Sequence, residues 1–204
     1  LRKAIRTASG VQAVSNFRPV ASASIYYKYA RNGIVWDMSC GYGGRLIGAL
    51  ASGSVKKYIG SDPCQLTYQG LKKIQEDFNH IDMEIDLNMI GSEDFIPGEK
   101  VDLCFTSPPY FNTEEYSNEE TQSWKKYSTK KEWLEGFLKK TMQNCYSCLK
   151  DDGLMMINIA NVKTYPNLET DVLRMAFQEN FKINDVLLLR LSSIMGGFKY
   201  EPIF

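Results

Sequence analysis

The stretch Gly33-Ile34-Val35-Trp36-Asp37-Met38-Ser39-Cys40-Gly41-Tyr42-Gly43-Gly44 decides the fold. Gly33 to Trp36 is a short apolar run ending on an acid, the pattern of a strand buried on both faces of a parallel sheet. The glycines that follow let the backbone turn tightly and pass close to a ligand. Gly43 to Ser52 can then open a helix, whose N-terminus adds the positive end of its dipole. Glycine suits any tight strand-to-helix turn, so the turn alone does not establish a ligand. The next acid adds to the case. Lys57 to Gly60 reads as a second strand, and Asp62 after it lies about 20 residues beyond the turn, where a carboxylate can accept both hydroxyls of a ribose.

A dinucleotide site is the competing reading, but it requires G-x-G-x-x-G. Here Gly41, Gly43 and Gly44 are followed by Ile47 and Gly48, a spacing that does not cradle a pyrophosphate. A nucleoside without phosphate fits better. A sulfonium amino acid joined to adenosine would use Asp37 for its ammonium group and Asp62 for its ribose, with Ser39, Gly41 and Gly43 forming the turn around it. A third candidate strand, Asp86 to Ile90, leads into Gly91-Ser92-Glu93-Asp94-Phe95. Asp94 is placed to accept from an adenine amino group with Phe95 against the ring, the alternative being an ordinary loop cap.

Outward from this stretch, strand and helix alternate, which predicts an α/β fold with a mostly parallel sheet covered on both faces. Helices are expected over Ala21 to Ala30, Gln65 to Asn79 and Leu168 to Gln178, and strands over Val101 to Phe105 and Leu154 to Ile159. Ile183 to Leu191 and Phe198 to Phe204 read as an antiparallel C-terminal hairpin. Thr129 and Glu132 form a capping box for a helix whose apolar stripe is Trp133, Phe137, Met142 and Cys145. Between the proline pair at 108–109 and that helix, Phe111 to Tyr127 is polar, acidic and aromatic without a period. It is longer than an ordinary connection, a length often associated with function.

At 204 residues and 44% hydrophobic, the whole chain is expected to bury one core as a single domain. It has no long apolar run and no secretory leader pattern, which predicts a cytoplasmic protein outside the membrane. It starts at Leu1 and ends at Phe204 within an apolar stretch, which reads as a piece of a longer product. Five scattered cysteines suit reduced thiols. Cys145 and Cys148 form a lone CxxC, and with His80 the only histidine a zinc site lacks ligands, so no metal is expected. His80 reads as a solvated residue near a helix end. Formal net charge is zero, which excludes holding nucleic acid by overall charge. The densest basic cluster is Lys125, Lys126, Lys130, Lys131, Lys139 and Lys140, interleaved with Tyr116, Trp124, Tyr127 and Trp133. It reads first as a solvated helix face and second as a phosphate-facing edge.

Thr106-Ser107-Pro108-Pro109-Tyr110-Phe111, directly after a buried strand, is the strongest signal in the chain. It resembles the DNA amino-methyltransferases, whose catalytic motif is S/D/N-P-P-Y/F. Ser107, Pro108, Pro109 and Tyr110 match it letter for letter, and Asp37 to Gly44, Asp62 and Asp94 fall where that family places its cofactor motifs. Phe17-Arg18-Pro19 resembles the start of the family's N-terminal cofactor helix, and Tyr200-Glu201-Pro202-Ile203 its closing strand. The likeness covers almost the whole chain and points toward phage or bacterial methylases, some of them parts of restriction-modification systems. It implies a Rossmann-like fold dependent on S-adenosylmethionine and a methyl transfer to an exocyclic base amine of DNA.

The residue types suit that chemistry. An exocyclic amine is a poor nucleophile because its lone pair is delocalised into the ring. The Ser107 hydroxyl and the Pro108 carbonyl can accept its hydrogens and turn the lone pair toward the sulfonium methyl. Two prolines fix that carbonyl's direction, and Tyr110 offers a stacking face to a base swung out of the duplex. Asp62-Pro63-Cys64-Gln65 contains the Pro-Cys-Gln of the cytosine C5 methyltransferases, but Cys64 follows the second strand and not the fourth, so thiolate attack is not the reading preferred. A Ser in the first motif position resembles N4-cytosine enzymes more than N6-adenine ones. The motif order departs from many cytosine enzymes and leaves that preference weak. No separate target-recognition domain is visible, which leaves specificity to the loop before Thr129, to residues beyond this chain, or to a partner. RNA or protein-amide methylation on the same fold, or a cofactor-binding subunit without activity, are the rival readings.

Overall fold

In the computed structural model, residues 16–113, 117–191 and 198–204 are described. Tyr116, named with the basic cluster, lies outside them. The helix α1 (Pro19–Tyr29) precedes β1 (Gly33–Asp37), α2 (Gly44–Ser52), β2 (Val55–Ser61), α3 (Gln65–Asp77) and β3 (Glu84–Asn88). A 3-10 turn (Ser92–Asp94) leads to β4 (Val101–Thr106), and a short helix α4 (Ser123–Lys126) to α5 (Lys130–Trp133). That helix runs through a π turn (Leu134–Leu138) into α6 (Lys139–Cys148). β5 (Leu149–Ile157), α7 (Leu168–Gln178), β6 (Leu187–Leu191) and β7 (Lys199–Ile203) complete the order.

Five parallel strands lie in the order β3-β2-β1-β4-β5, while β6 and β7 form the expected antiparallel hairpin. An antiparallel bridge between Asn158 and Ile203 joins that hairpin to the sheet. Ile157 and Phe204 exchange backbone hydrogen bonds of 2.9 and 3.1 Å beside it. The expected α/β architecture with a mostly parallel sheet is therefore observed. β1 and β4 lie inside the sheet and are apolar over Ile34 to Trp36 and Leu103 to Phe105, because helices cover both faces. Val35 joins the core under α1 and α2, and Trp36, one residue on and facing the other way, joins the core under α6.

Thr129 and Glu132 make the capping box, with Glu132 N–H donating to Thr129 Oγ1 at 3.2 Å and Thr129 N–H to Glu132 Oε2 at 3.1 Å. The π turn explains the uneven stripe that follows. Phe137 and Met142 are five residues apart, one too many for an α-helix to keep them together, and a wider turn absorbs the extra residue. Among the described residues, no helix is long and apolar enough to cross a membrane.

Candidate active site

The chain leaves β1 toward β2 and β3, then crosses back to β4 on the other side of β1. In open α/β sheets, ligands settle in the crevice at such a reversal, outside the carboxyl ends of the strands. A cavity of about 850 Å³, mouth included, opens there.

Its first wall is the glycine turn. Gly41 and Gly43 have φ of 52° and 79°, in the left-handed region that glycine enters without a Cβ penalty. Gly41 N–H thereby reaches Asp62 Oδ2 at 2.9 Å, and Cys64 N–H reaches Oδ1 at 3.0 Å. Burial pushes the Asp62 carboxyl up to about 6 against the pull of those two donors. Each oxygen keeps a second lone pair, so the carboxylate can accept further hydroxyls from the cavity.

Asp37 lies beneath this wall and not on it. Its carboxylate is fully buried, accepting from Arg45 Nε at 2.9 Å and from the Tyr58 hydroxyl at 2.6 Å. Burial alone would lower the Arg45 guanidinium, but the Asp37 charge and hydrogen bond outweigh it and hold the group above its usual range. Arg45 is the residue that reaches the cavity. It also donates to the Ser39 carbonyl, and its guanidinium lies 5.7 Å from the ring centres of Phe17 and Phe105.

Phe17 lines the cavity, set edge-on to Phe105 at 5.2 Å. Asn16 beside it accepts from Gly44 N–H at 3.0 Å, satisfying a first-turn donor of α2. Arg18 donates to the Arg190 carbonyl at 3.0 Å and Pro19 starts α1; both are off the wall.

At the acidic turn the structure brings Glu93 to the cavity, while Asp94 and Phe95 face elsewhere. Lys126 pairs with Glu93 Oε1 at 2.9 Å and also with Asp94. Glu93 Oε2 is buried without a hydrogen-bond partner. Phe95 packs edge-on to Trp36 at 5.8 Å.

The catalytic candidates stand opposite. Ser107 and Pro109 line the cavity, Pro108 is buried behind them, and Tyr110 packs half-buried beside Phe111 and Trp133. Phe111 has φ of 55°, uncommon for a bulky side chain. Its buried ring, 5.9 Å from Trp133, holds it there. Residues 119–123 lie against the pocket. Glu119 accepts from Gln65 N–H at 3.2 Å, Thr121 donates to the Pro63 carbonyl at 3.3 Å, and Thr121, Gln122 and Ser123 form part of the wall.

Of the residues singled out in the sequence, Phe17, Ser39, Gly41, Asp62, Ser107 and Pro109 thus share one cavity. Sequence reading missed Asn16, Arg45, Glu93 and Gln122. Arg45 carried a signal as the one charge in the small and apolar helix Gly44–Ser52, and Glu93 as the neighbour of Asp94 in the acidic stretch. The basic cluster is largely occupied internally: Lys125 pairs with Glu120, Lys126 with Glu93, Lys139 with Glu135, and Lys130 donates to the Thr164 carbonyl.

Residues 101–199 match the family model described as DNA methylase, of the N6 and N4 kind. Among curated proteins none matches the chain. Solved structures share the fold at low identity. A methyltransferase from Pyrococcus furiosus is 14% identical with TM-score 0.58, covering 99% of this chain and 92% of its own. The SAM-dependent O-methyltransferase of Thermotoga maritima is 11% identical with TM-score 0.61, covering 96% and 67%. The N-methyltransferase NodS of Bradyrhizobium japonicum is 10% identical with TM-score 0.59, covering 91% and 89%. The fold is therefore the Rossmann-like one of the SAM-dependent methyltransferases.

Proposed function

We infer that the chain, whose residues 101–199 match the DNA methylase family model, transfers a methyl group from S-adenosylmethionine to an exocyclic base amine of DNA in the cytoplasm. N4 of cytosine is favoured over N6 of adenine because Ser107 holds the first motif position. The single observation that carries the reading is that Asp62 and Ser107 face one cavity: a ribose acceptor and an amine acceptor across one space.

The residues fit the cofactor. Asp62 offers free lone pairs for two ribose hydroxyls, and the buried, unpartnered Glu93 Oε2 is an acceptor for an adenine amino group, the role the sequence suggested for Asp94. Arg45 and the Asp37 beneath it hold the turn around Ser39, through the Ser39 carbonyl and N–H. When bound, S-adenosylmethionine supplies an electrophilic methyl. The chain supplies alignment. Ser107 and the Pro108 carbonyl accept the amine hydrogens, Pro109 and Phe17 exclude water, and Tyr110 offers a face to the extruded base. With Lys125, Lys126, Lys130 and Lys139 paired internally, sequence specificity falls to the loop before Thr129, to residues beyond this chain, or to a partner.

DNA incubated with the protein and radiolabelled cofactor, then digested to nucleosides, tests the reading. Label in N4-methylcytosine is expected. Label in N6-methyladenine would correct the base, label only in an RNA control would replace the polymer, and no label in either would remove the function. Calorimetry with Asp62→Ala is expected to show cofactor binding weakened by roughly 1.5 to 3 kcal/mol, the loss of charge-assisted hydrogen bonds.

A further inference from the structure

We propose that Asn158 is the positioning residue that turns Ser107 into a pure acceptor for the target amine. The proposal rests on the methylation reading above. Asn158 follows β5 directly, is 2% exposed, and is fixed by its backbone, whose N–H donates to the Thr106 carbonyl at 2.9 Å. Its side-chain Nδ2 donates to the Pro202 carbonyl at 3.0 Å. A carbonyl only accepts, so the amide nitrogen must face Pro202 and Oδ1 must face the other way. The group there is the Ser107 hydroxyl, with Oγ 3.5 Å from Oδ1.

An amide oxygen also only accepts, so in this contact Ser107 must be the donor. That assignment has a chemical consequence. A serine hydroxyl has one proton and two lone pairs, and a rotor free to point its proton at the amine nitrogen would compete for the lone pair that attacks the methyl. With its proton committed to Asn158, Ser107 can present only lone pairs to the amine hydrogens. At 3.5 Å the contact is longer than an ordinary O–H···O hydrogen bond, and its direction is set by the amide orientation. The arrangement also gives the C-terminal strand a role, since β7 sets the amide through Pro202 and Ile159 N–H shares the same carbonyl at 3.3 Å.

A double-mutant cycle on the full chain tests the assignment, read as single-turnover methyl transfer to unmethylated genomic DNA at saturating S-adenosylmethionine. Asn158→Ala is expected to slow transfer by about 10- to 100-fold through misplacement of the acceptor. In a Ser107→Ala background it should change the rate by no more than about twofold, because the two act as one unit. Cofactor affinity should stay at the wild-type value in all three variants. Equal losses in both backgrounds would overturn the proposal and leave Asn158 a structural residue. A second measurement does not depend on turnover or on Asn158→Ala folding. In ¹⁵N-labelled protein the Asn158 side-chain amide signal, assigned through bonds, should shift in Ser107→Ala, and an unmoved signal would also overturn the proposal. If the wild type transfers no methyl, the methylation reading fails, and the amide signal still decides whether Ser107 donates to Asn158.

Discussion

Arg45 carries a full charge at 4% exposure, and its position explains why the turn at Ser39 to Gly43 keeps its shape. It neutralises Asp37 at 2.9 Å while donating to the Ser39 carbonyl, so one side chain ties the strand end to the loop. Replacing it with methionine would leave Asp37 buried with only the Tyr58 hydroxyl and the Ser39 N–H. A broken buried pair costs about 3 to 5 kcal/mol. Arg45→Met is therefore expected to lower the unfolding free energy from urea titration by that amount, and a change under about 1 kcal/mol would show that the pair does not hold the turn. Cys64 makes the opposite case. It lies on the wall and its thiol lies 3.8 Å from Glu119, yet direct methyl transfer to an amine needs no thiolate. Cys64→Ser should retain methyl transfer in the labelled-cofactor assay. Abolished transfer with intact cofactor binding would sink the direct mechanism.

Helices α1 and α2 meet at glycine. A Cβ on Gly48 would lie 1.9 Å from Ser22 Oγ and 2.7 Å from the Pro19 carbonyl, while Gly70, exposed on α3, has nothing within 4 Å. The same substitution should thus have opposite signs. Gly48→Ala forces α1 outward and should destabilise by about 1 to 3 kcal/mol. It should weaken cofactor binding too, since Phe17 stands two residues before the start of α1. Gly70→Ala should stabilise by roughly 0.5 to 1 kcal/mol through helix propensity. Denaturant melts of both variants decide it. At this scale the local signals were legible: β1 with its turn, the proline pair, the capping box and the hairpin all come from neighbours in sequence. The placement of residues 119–126 was not, because Glu119 finds Gln65 and Lys126 finds Glu93 across the fold, and no period marks such contacts. Asp94 and Glu93 show the limit most clearly. Two adjacent acids are equivalent in sequence, and only the 3-10 turn through Ser92–Asp94 decides which one faces the cavity.

For the whole molecule, Asp62 couples stability, pH and ligand. Its carboxyl titrates near 6 in the fold because burial disfavours the charge, whereas in the unfolded chain it titrates as an ordinary aspartate near 3.8. Between those values the folded state holds the proton and the unfolded state does not, so stability without cofactor falls as pH rises from about 4 to 6 and is level above that. Two units correspond to about 3 kcal/mol at most. Other carboxylates titrate in the same window, so the expected readout is a difference: the wild type minus Asp62→Asn melting curve should slope downward across it. Cofactor reverses the sign. Ribose hydroxyls donate to the ionised carboxylate, so the bound state favours loss of the proton, and the rise in melting temperature on adding S-adenosylmethionine should shrink as pH drops from 7 to 5. In Asp62→Asn that rise should be smaller and independent of pH. A wild-type cofactor shift that stays constant through pH 6, with the apo slope present, would mean that the buried carboxylate is a structural clamp for Gly41 and Cys64 and that the ribose binds elsewhere.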